Sequence, residues 1–210
     1  MAVRRRLKGK DRVAAPDGRG RYIAYHIMKL ETSRLILRPP SEEDADAIAA
    51  VANDWRVAEM TLVPHPYVAS DALEWLARAR ECWREQGFGG LAVFTRTGGA
   101  FIGTSGLRPT TIPGHATTGY WFSPAVWGRG FATEVLREVL RFGFEVRKLS
   151  RIEAHHLLIN PASGRVMEKA GMGHPVKVDL PERDGNRFVP GITRYIHAEE
   201  WARASTAIPV

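Results

Sequence analysis

A single cysteine, Cys82, stands in 210 residues, so the chain has no internal disulfide to draw on, which fits a reducing cytoplasm. No stretch approaches the ~18 consecutive apolar residues of a membrane span, and the first residues lack the apolar core of a secretory signal. Internal repeats and low-complexity tracts are also missing. These absences exclude a disulfide scaffold, a helical membrane protein and a solenoid. Charge is scarce in its own way: of the formal +7, residues 1–28 supply +6, from Arg4, Arg5, Arg6, Lys8, Lys10, Arg12, Arg19 and Arg21 against Asp11 and Asp17. The remainder is close to neutral. If nucleic acid is bound, the expected place is this basic arm, with a disordered extension as the other reading.

What remains is enough for one domain. With 44% hydrophobic residues, the length suits a single sizeable core, and residues 29–205 are expected to form it. Arg34 to Arg38 reads as a first strand stopped by Pro39-Pro40. Ser41-Glu42-Glu43-Asp44 has the form of a capping box before the apolar positions Ala47, Ile48 and Val51. Ser70 to Gln86 predicts a helix with Leu73, Leu76, Ala79 or Arg80, and Trp83 on one stripe and Gly87 as its stop. Cys82 lies beside that stripe, as a packed thiol. Leu91 to Phe94 and Phe101 to Leu107 read as strands joined through Thr97-Gly98-Gly99. Arg151 to Ile159 predicts a buried strand, Ser163 to Lys169 a short helix, Pro181 to Asn186 a loop, and Thr193 to His197 a closing strand before a helix around Trp201.

The most informative stretch lies between these. Thr117-Thr118-Gly119-Tyr120-Trp121-Phe122 has strand character, closed by Ser123-Pro124. Val126 to Thr133 then carries Gly128 and Gly130 into a helical pattern of Val135, Leu136, Val139, Leu140 and Gly143. A strand, a glycine loop and a helix in that order put backbone N–H groups and the positive end of a helix at one point, which suits a phosphate. Two glycines that merely relieve a tight turn are the alternative.

Trp127-Gly128-Arg129-Gly130-Phe131-Ala132 resembles the pyrophosphate loop of the GNAT superfamily of acyl-coenzyme A N-acyltransferases, Arg/Gln-x-x-Gly-x-Gly/Ala. Trp127 replaces the usual Arg or Gln, as in the branch that is similar to ribosomal-protein N-terminal acetyltransferases. Three further segments resemble the same branch: Gly119 to Phe122, Asn160 to Met172 with Asn160, Ser163 and Glu168-Lys169, and Thr32 to Pro39. The likeness covers about Lys29 to Ala202. A Rossmann reading is weaker, because G-x-G-x-x-G is incomplete.

The resemblance implies an α/β (α+β) fold, with a mixed, mostly antiparallel central sheet and helices on both faces. It implies acetyl-CoA as acetyl donor, bound by Tyr120, Trp121, Phe122, Trp127, Gly128, Arg129, Gly130, Phe131, Ala132, Thr133, Asn160 and Ser163. The acceptor would be a primary amine, on a protein N-terminus or a small molecule. Ser163 would assist the departing thiolate, since Met167 stands where many relatives have a tyrosine, unless Ser163 only caps its helix. The base stays open among His65, His115, His155, His156, Glu153 and an ordered water. No metal is expected: His155 and His156 point to opposite faces of a strand. Acceptor choice would sit in Met60 to Tyr67 and Val178 to Pro190. A homodimer is compatible with the family. The rival to an enzyme is an acyl-CoA-binding or sensing module of the same fold.

Overall fold

The computed structural model describes residues 28–61, 63–181 and 187–206. Residues 1–27 of the basic arm, and 182–186 of the predicted loop, lie outside the described residues. The sheet has eight strands, β1 (Leu30–Glu31), β2 (Leu35–Arg38), β3 (Gly90–Thr95), β4 (Phe101–Pro109), β5 (His115–Phe122), β6 (Arg151–Leu157), β7 (Gly173–Pro181) and β8 (Phe188–His197). Their spatial order is β1-β2-β3-β4-β5-β6-β8-β7. Every pairing is antiparallel except β5 with β6. That parallel pair needs a crossover, supplied by α4 (Phe131–Arg141) and a wide π turn over Phe142–Val146.

Helix α4 has the pattern its sequence predicts. Val135, Leu136, Val139 and Leu140 are all 0% exposed and pack on Leu35, Leu37, Val93, Leu107, Ala116, Ile152 and Ala154 from five strands. Four such side chains contribute on the order of 6–12 kcal/mol gross. Helix α5 (Pro161–Lys169) lies beside α4 on this face. The opposite face is covered over β3 and β4 by α1 (Ala45–Ala52) and α3 (Ala69–Gln86), which pack on each other. There Ile48, Ala52, Tyr67, Ala72 and Leu76 form a second cluster against Phe101 and Trp121. The mixed sheet with helices on both faces is the architecture expected.

Several details differ from the sequence reading. The stripe of α3 is Ala72, Leu76, Ala79 and Trp83, and Leu73 is 47% exposed. The sheet contact is set by the small side chain one position earlier. Leu158 and Ile159, read as strand core, are exposed, because β6 ends at Leu157. Two strands at the sheet margins, β1 and β7, and the short helix α2 (Trp55–Glu59) were not predicted. The capping box expected over Ser41 to Asp44 is present, with Ser41 as N-cap: Asp44 Oδ2 accepts from the Ser41 N–H at 2.7 Å, and Arg38 donates to both Asp44 oxygens at 2.7 Å.

Candidate active site at a fork in the sheet

The two parallel strands part. β5 and β6 pair only from His115↔Arg151 to Thr118↔Ala154, while β5 runs on to Phe122 and β6 to Leu157. The β6-facing edge of Gly119 to Phe122 therefore opens onto a fork. Alternation along β5 sends Tyr120 to the α4 and α5 side, where it packs on the main core, and Trp121 to the other side, against Phe101 at 5.9 Å between ring centroids. Phe122 is buried, and its carbonyl accepts from the Trp127 indole at 2.8 Å. The side chains of Trp121 and Phe122 thus hold the strand, and what faces the fork there is backbone.

At the end of β5 the chain turns through Gly128 and Gly130 at φ +74° and +79°, left-handed conformations that cost other residues roughly 1–2 kcal/mol. The first backbone bond of α4 joins Glu134 N–H to Gly130 C=O. No hydrogen bond from the N–H groups of Gly128, or of Gly130 to Thr133, is found among the described residues. These backbone donors and the positive end of a helix share one open turn, a place suited to phosphate. A Cβ on Gly128 would meet nothing within 4 Å. Phe131 and Ala132 turn inward as anchors of the loop, Phe131 being 6% exposed and Ala132 packed on the core. Arg129 stays at the rim, its guanidinium 5.1 Å from the Phe131 ring centroid.

Arg34, which the sequence did not single out for the site, ties the loop down. It donates to the Arg129 carbonyl at 3.0 Å, lies 4.4 Å over Phe131, and its Nε donates to Glu134 at 2.7 Å. Burial would raise the Glu134 carboxyl, but hydrogen bonds from Thr32 and Arg34 outweigh it and hold the group below the usual carboxylate range. From Gly130 and Thr133 an open cleft of about 810 Å³ follows α4 past Arg137 and Arg141 to Lys169, with Glu138 and Glu145 interspersed.

Across the fork, α5 presents Asn160 and Ser163. Asn160 is the cap, its Oδ1 accepting from Ser163 N–H at 3.1 Å, while its Nδ2 donates to the Met60 carbonyl at 3.3 Å. Capping therefore falls to Asn160 and leaves the Ser163 hydroxyl for other work. That hydroxyl lies 2.9 Å from the Tyr120 hydroxyl, which also donates to the Ser163 carbonyl at 3.0 Å. A tyrosine thus reaches Ser163 from β5, while Met167 is packed in the core. Burial pushes the Tyr120 phenol up to about 12, with the Ser163 hydrogen bond opposing.

The four histidines separate. His115 begins β5, away from the fork, and His65 packs edge-on to Trp55 at 5.2 Å. His156 is buried under α5, where a Cβ on Gly164 would stand 2.7 Å from its Nε2. His155 lies on the opposite face from His156, its Nδ1 2.7 Å from Thr193 Oγ1 on β8. Glu153, two residues before it, is paired with Arg151 at 3.0 Å.

Comparison with known proteins agrees with this geometry. The acetyltransferase (GNAT) domain matches residues 34–173, so the chain belongs to the GNAT acetyltransferases. It is an N-acetyltransferase, and enzymes of this family use acetyl-CoA. A relative named FsC-acetyl coenzyme A-N(2)-transacetylase, from Aspergillus fumigatus, is 31% identical over 83% of this chain and 78% of its own. The solved ribosomal-protein-S5-alanine acetyltransferase from Vibrio fischeri superposes with a TM-score of 0.71 at 18% identity, covering 83% of this chain and 98% of that one. Mycobacterium smegmatis RimJ in complex with CoA-disulfide superposes with a TM-score of 0.67 at 21% identity, covering 81% and 89%. No helix among the described residues is long and apolar enough to cross a membrane.

Proposed function

We propose that the protein transfers an acetyl group from acetyl-CoA directly to a primary amine, both substrates being bound at the fork at once. The observation that carries this reading is the junction of the N–H groups of Gly128, and of Gly130 to Thr133, with the opening between β5 and β6. The loop would hold the pyrophosphate, with Arg129 adding charge at the rim and the cleft along α4 taking the nucleotide end. The free edge of Gly119 to Phe122 would pair with the amide-bearing arm as an added strand would. One of its N–H groups would then stabilise the oxyanion.

The Tyr120 and Ser163 hydroxyls supply the next step. A phenol at about 12 is a poor acid toward a thiolate whose thiol titrates near ~8.5. Tyr120 therefore stays protonated, its one O–H donated to the Ser163 carbonyl, and its phenol oxygen fixes the place of Ser163 Oγ, whose own O–H would swing to the departing sulfur. Solvent supplies the final proton. Asn160, bonded to the Met60 carbonyl, joins this machinery to the 60–67 loop, where the acceptor would be selected.

The acceptor is an amine on a protein N-terminus or a small molecule. The Vibrio fischeri enzyme is named for an alanine of a ribosomal protein, and the Aspergillus relative for an N(2) position. Thiol release from acetyl-CoA, followed with an Ala-initiated tripeptide, spermidine and free amino acids, tests the reading. Amine-dependent release by at least one acceptor is expected. Acetyl-CoA binding without release for any of them would make the chain a sensing module.

A further inference from the structure

The fork has a second side. Beyond the last paired residues, Thr118 and Ala154, the next positions are Gly119 on β5 and His155 on β6. Both project to the face away from α4 and α5, the half of the sheet that α1 and α3 leave uncovered. A Cβ on Gly119 would meet nothing within 4 Å among the described residues, so no side chain stands at that position of the fork. The His155 side chain is 34% exposed, yet its orientation is fixed. Thr193, paired with it on β8 and buried, holds Nδ1 at 2.7 Å. Nε2 stands 3.9 Å from Glu153 Oε1, outside hydrogen-bond range. The Thr193 hydroxyl can accept from or donate to Nδ1; in the tautomer in which Nδ1–H donates to it, the neutral ring carries its lone pair on Nε2.

We propose that His155 is the general base for the acceptor amine, taking its proton through Nε2 as the amine attacks the thioester from the uncovered face. This rests on the reading that acetyl-CoA lies in the fork. The N–C bond forms, one proton of the amine passes to Nε2, the C–S bond breaks, and the thiolate takes a proton from solvent. The proton on Nε2 returns to solvent, so neutral amine and thioester become amide and thiol. Glu153, close but not bonded, favours the transient imidazolium. Burial pushes the His155 ring below its ordinary value, Glu153 opposes this, and Arg108 on β4 adds to it. The ring is accordingly neutral and able to accept at pH 7.

The test uses the full chain and two readouts. Bromoacetyl-CoA places an electrophilic carbon where the acetyl methyl would lie, and Nε2 would displace bromide to form a C–N bond. Peptide mass mapping is expected to find the adduct on His155, suppressed by excess CoA. With whichever amine of the acceptor panel is turned over, His155→Gln should lower kcat by roughly 10²- to 10⁴-fold with acetyl-CoA affinity unchanged. It should also remove the fall in wild-type kcat on the acid side, which sets in below the ordinary histidine range because burial lowers the His155 ring. An adduct elsewhere, or none although CoA binds by calorimetry, overturns the assignment. So does a His155→Gln kcat within threefold of wild type. Absence of any CoA binding instead brings down the reading of the fork itself, and calorimetry reports that before labelling begins.

Discussion

The two faces of the sheet at the fork are built differently. On the α4 and α5 side the site is mostly backbone: a glycine turn with unpaired N–H groups, a free strand edge, and side chains such as Phe131 and Phe122 that serve as anchors. On the other side, away from α4 and α5, the fork is flanked by side chains: His155, the Thr193 hydroxyl that meets its ring, and Glu153. Backbone donors suit a donor substrate that every relative shares. Side chains suit an acceptor that varies from one relative to the next. A ligand common to a family can be held by what a fold cannot change, and a particular one must be chosen by what mutation can.

The difference can be broken from the donor side first. Gly130→Glu forces a side chain into a left-handed turn and sets a carboxylate between Arg34 and the start of α4, where a phosphate would sit. Calorimetry should show acetyl-CoA affinity down a hundredfold or more, about 3 kcal/mol, in a variant whose circular dichroism is unchanged. Undiminished affinity in the folded variant would sink the loop assignment. Arg34→Ala removes the tether to the Arg129 carbonyl and to Glu134 and leaves the N–H groups in place. A roughly tenfold rise in KM for acetyl-CoA with kcat retained is expected, and an unchanged KM would mean the tether is incidental.

Tyr120→Phe is smaller and of another kind. It deletes the hydrogen bonds to Ser163 and keeps the packing, so stability should fall by about 1 kcal/mol and kcat by less than tenfold. A loss of a thousandfold would show that Tyr120 is itself the acid. The smallest effect is that of pH on the anchors. Glu134 and Asp44 are both held below their ordinary ranges in the folded chain, burial opposing and hydrogen bonds from Thr32 and Arg34, or Arg38 and Ser41, prevailing. Their contribution is complete above the unfolded values of about 4.3 and 3.9 and is lost as pH falls through the lower folded ones. Thermal midpoints should hold from pH 7 to 5 and drop below about pH 4. A midpoint unaltered at pH 3 would show that neither anchor matters to stability.

The donor side was also the legible one. Glycine spacing after an aromatic strand and before an amphipathic helix is local information, and it located the loop, α4 and the segment from Asn160 to Lys169. What depends on distance along the chain was not legible on either side. On the donor side the Arg34 and Glu134 pair spans 100 residues and Tyr120 with Ser163 spans 43, and neither partner announces the other. Which histidine faces the fork follows from where the parallel pairing stops, at Thr118 and Ala154, a matter of register that composition does not carry. β7 was missed because Pro175 and Pro181 interrupt it, as an edge strand tolerates, and α2 because five residues are too few to show a period. Leu73 was chosen over Ala72 because a larger side chain looks like core, whereas close helix packing at that position favoured the smaller one.

Titration of acetyl-CoA into the purified protein by calorimetry tests the central claim most directly. Saturable binding of one equivalent is expected, lost on Gly130→Glu and retained by His155→Gln. Absence of binding by the wild-type protein, or equal binding by the Gly130→Glu variant, would contradict it.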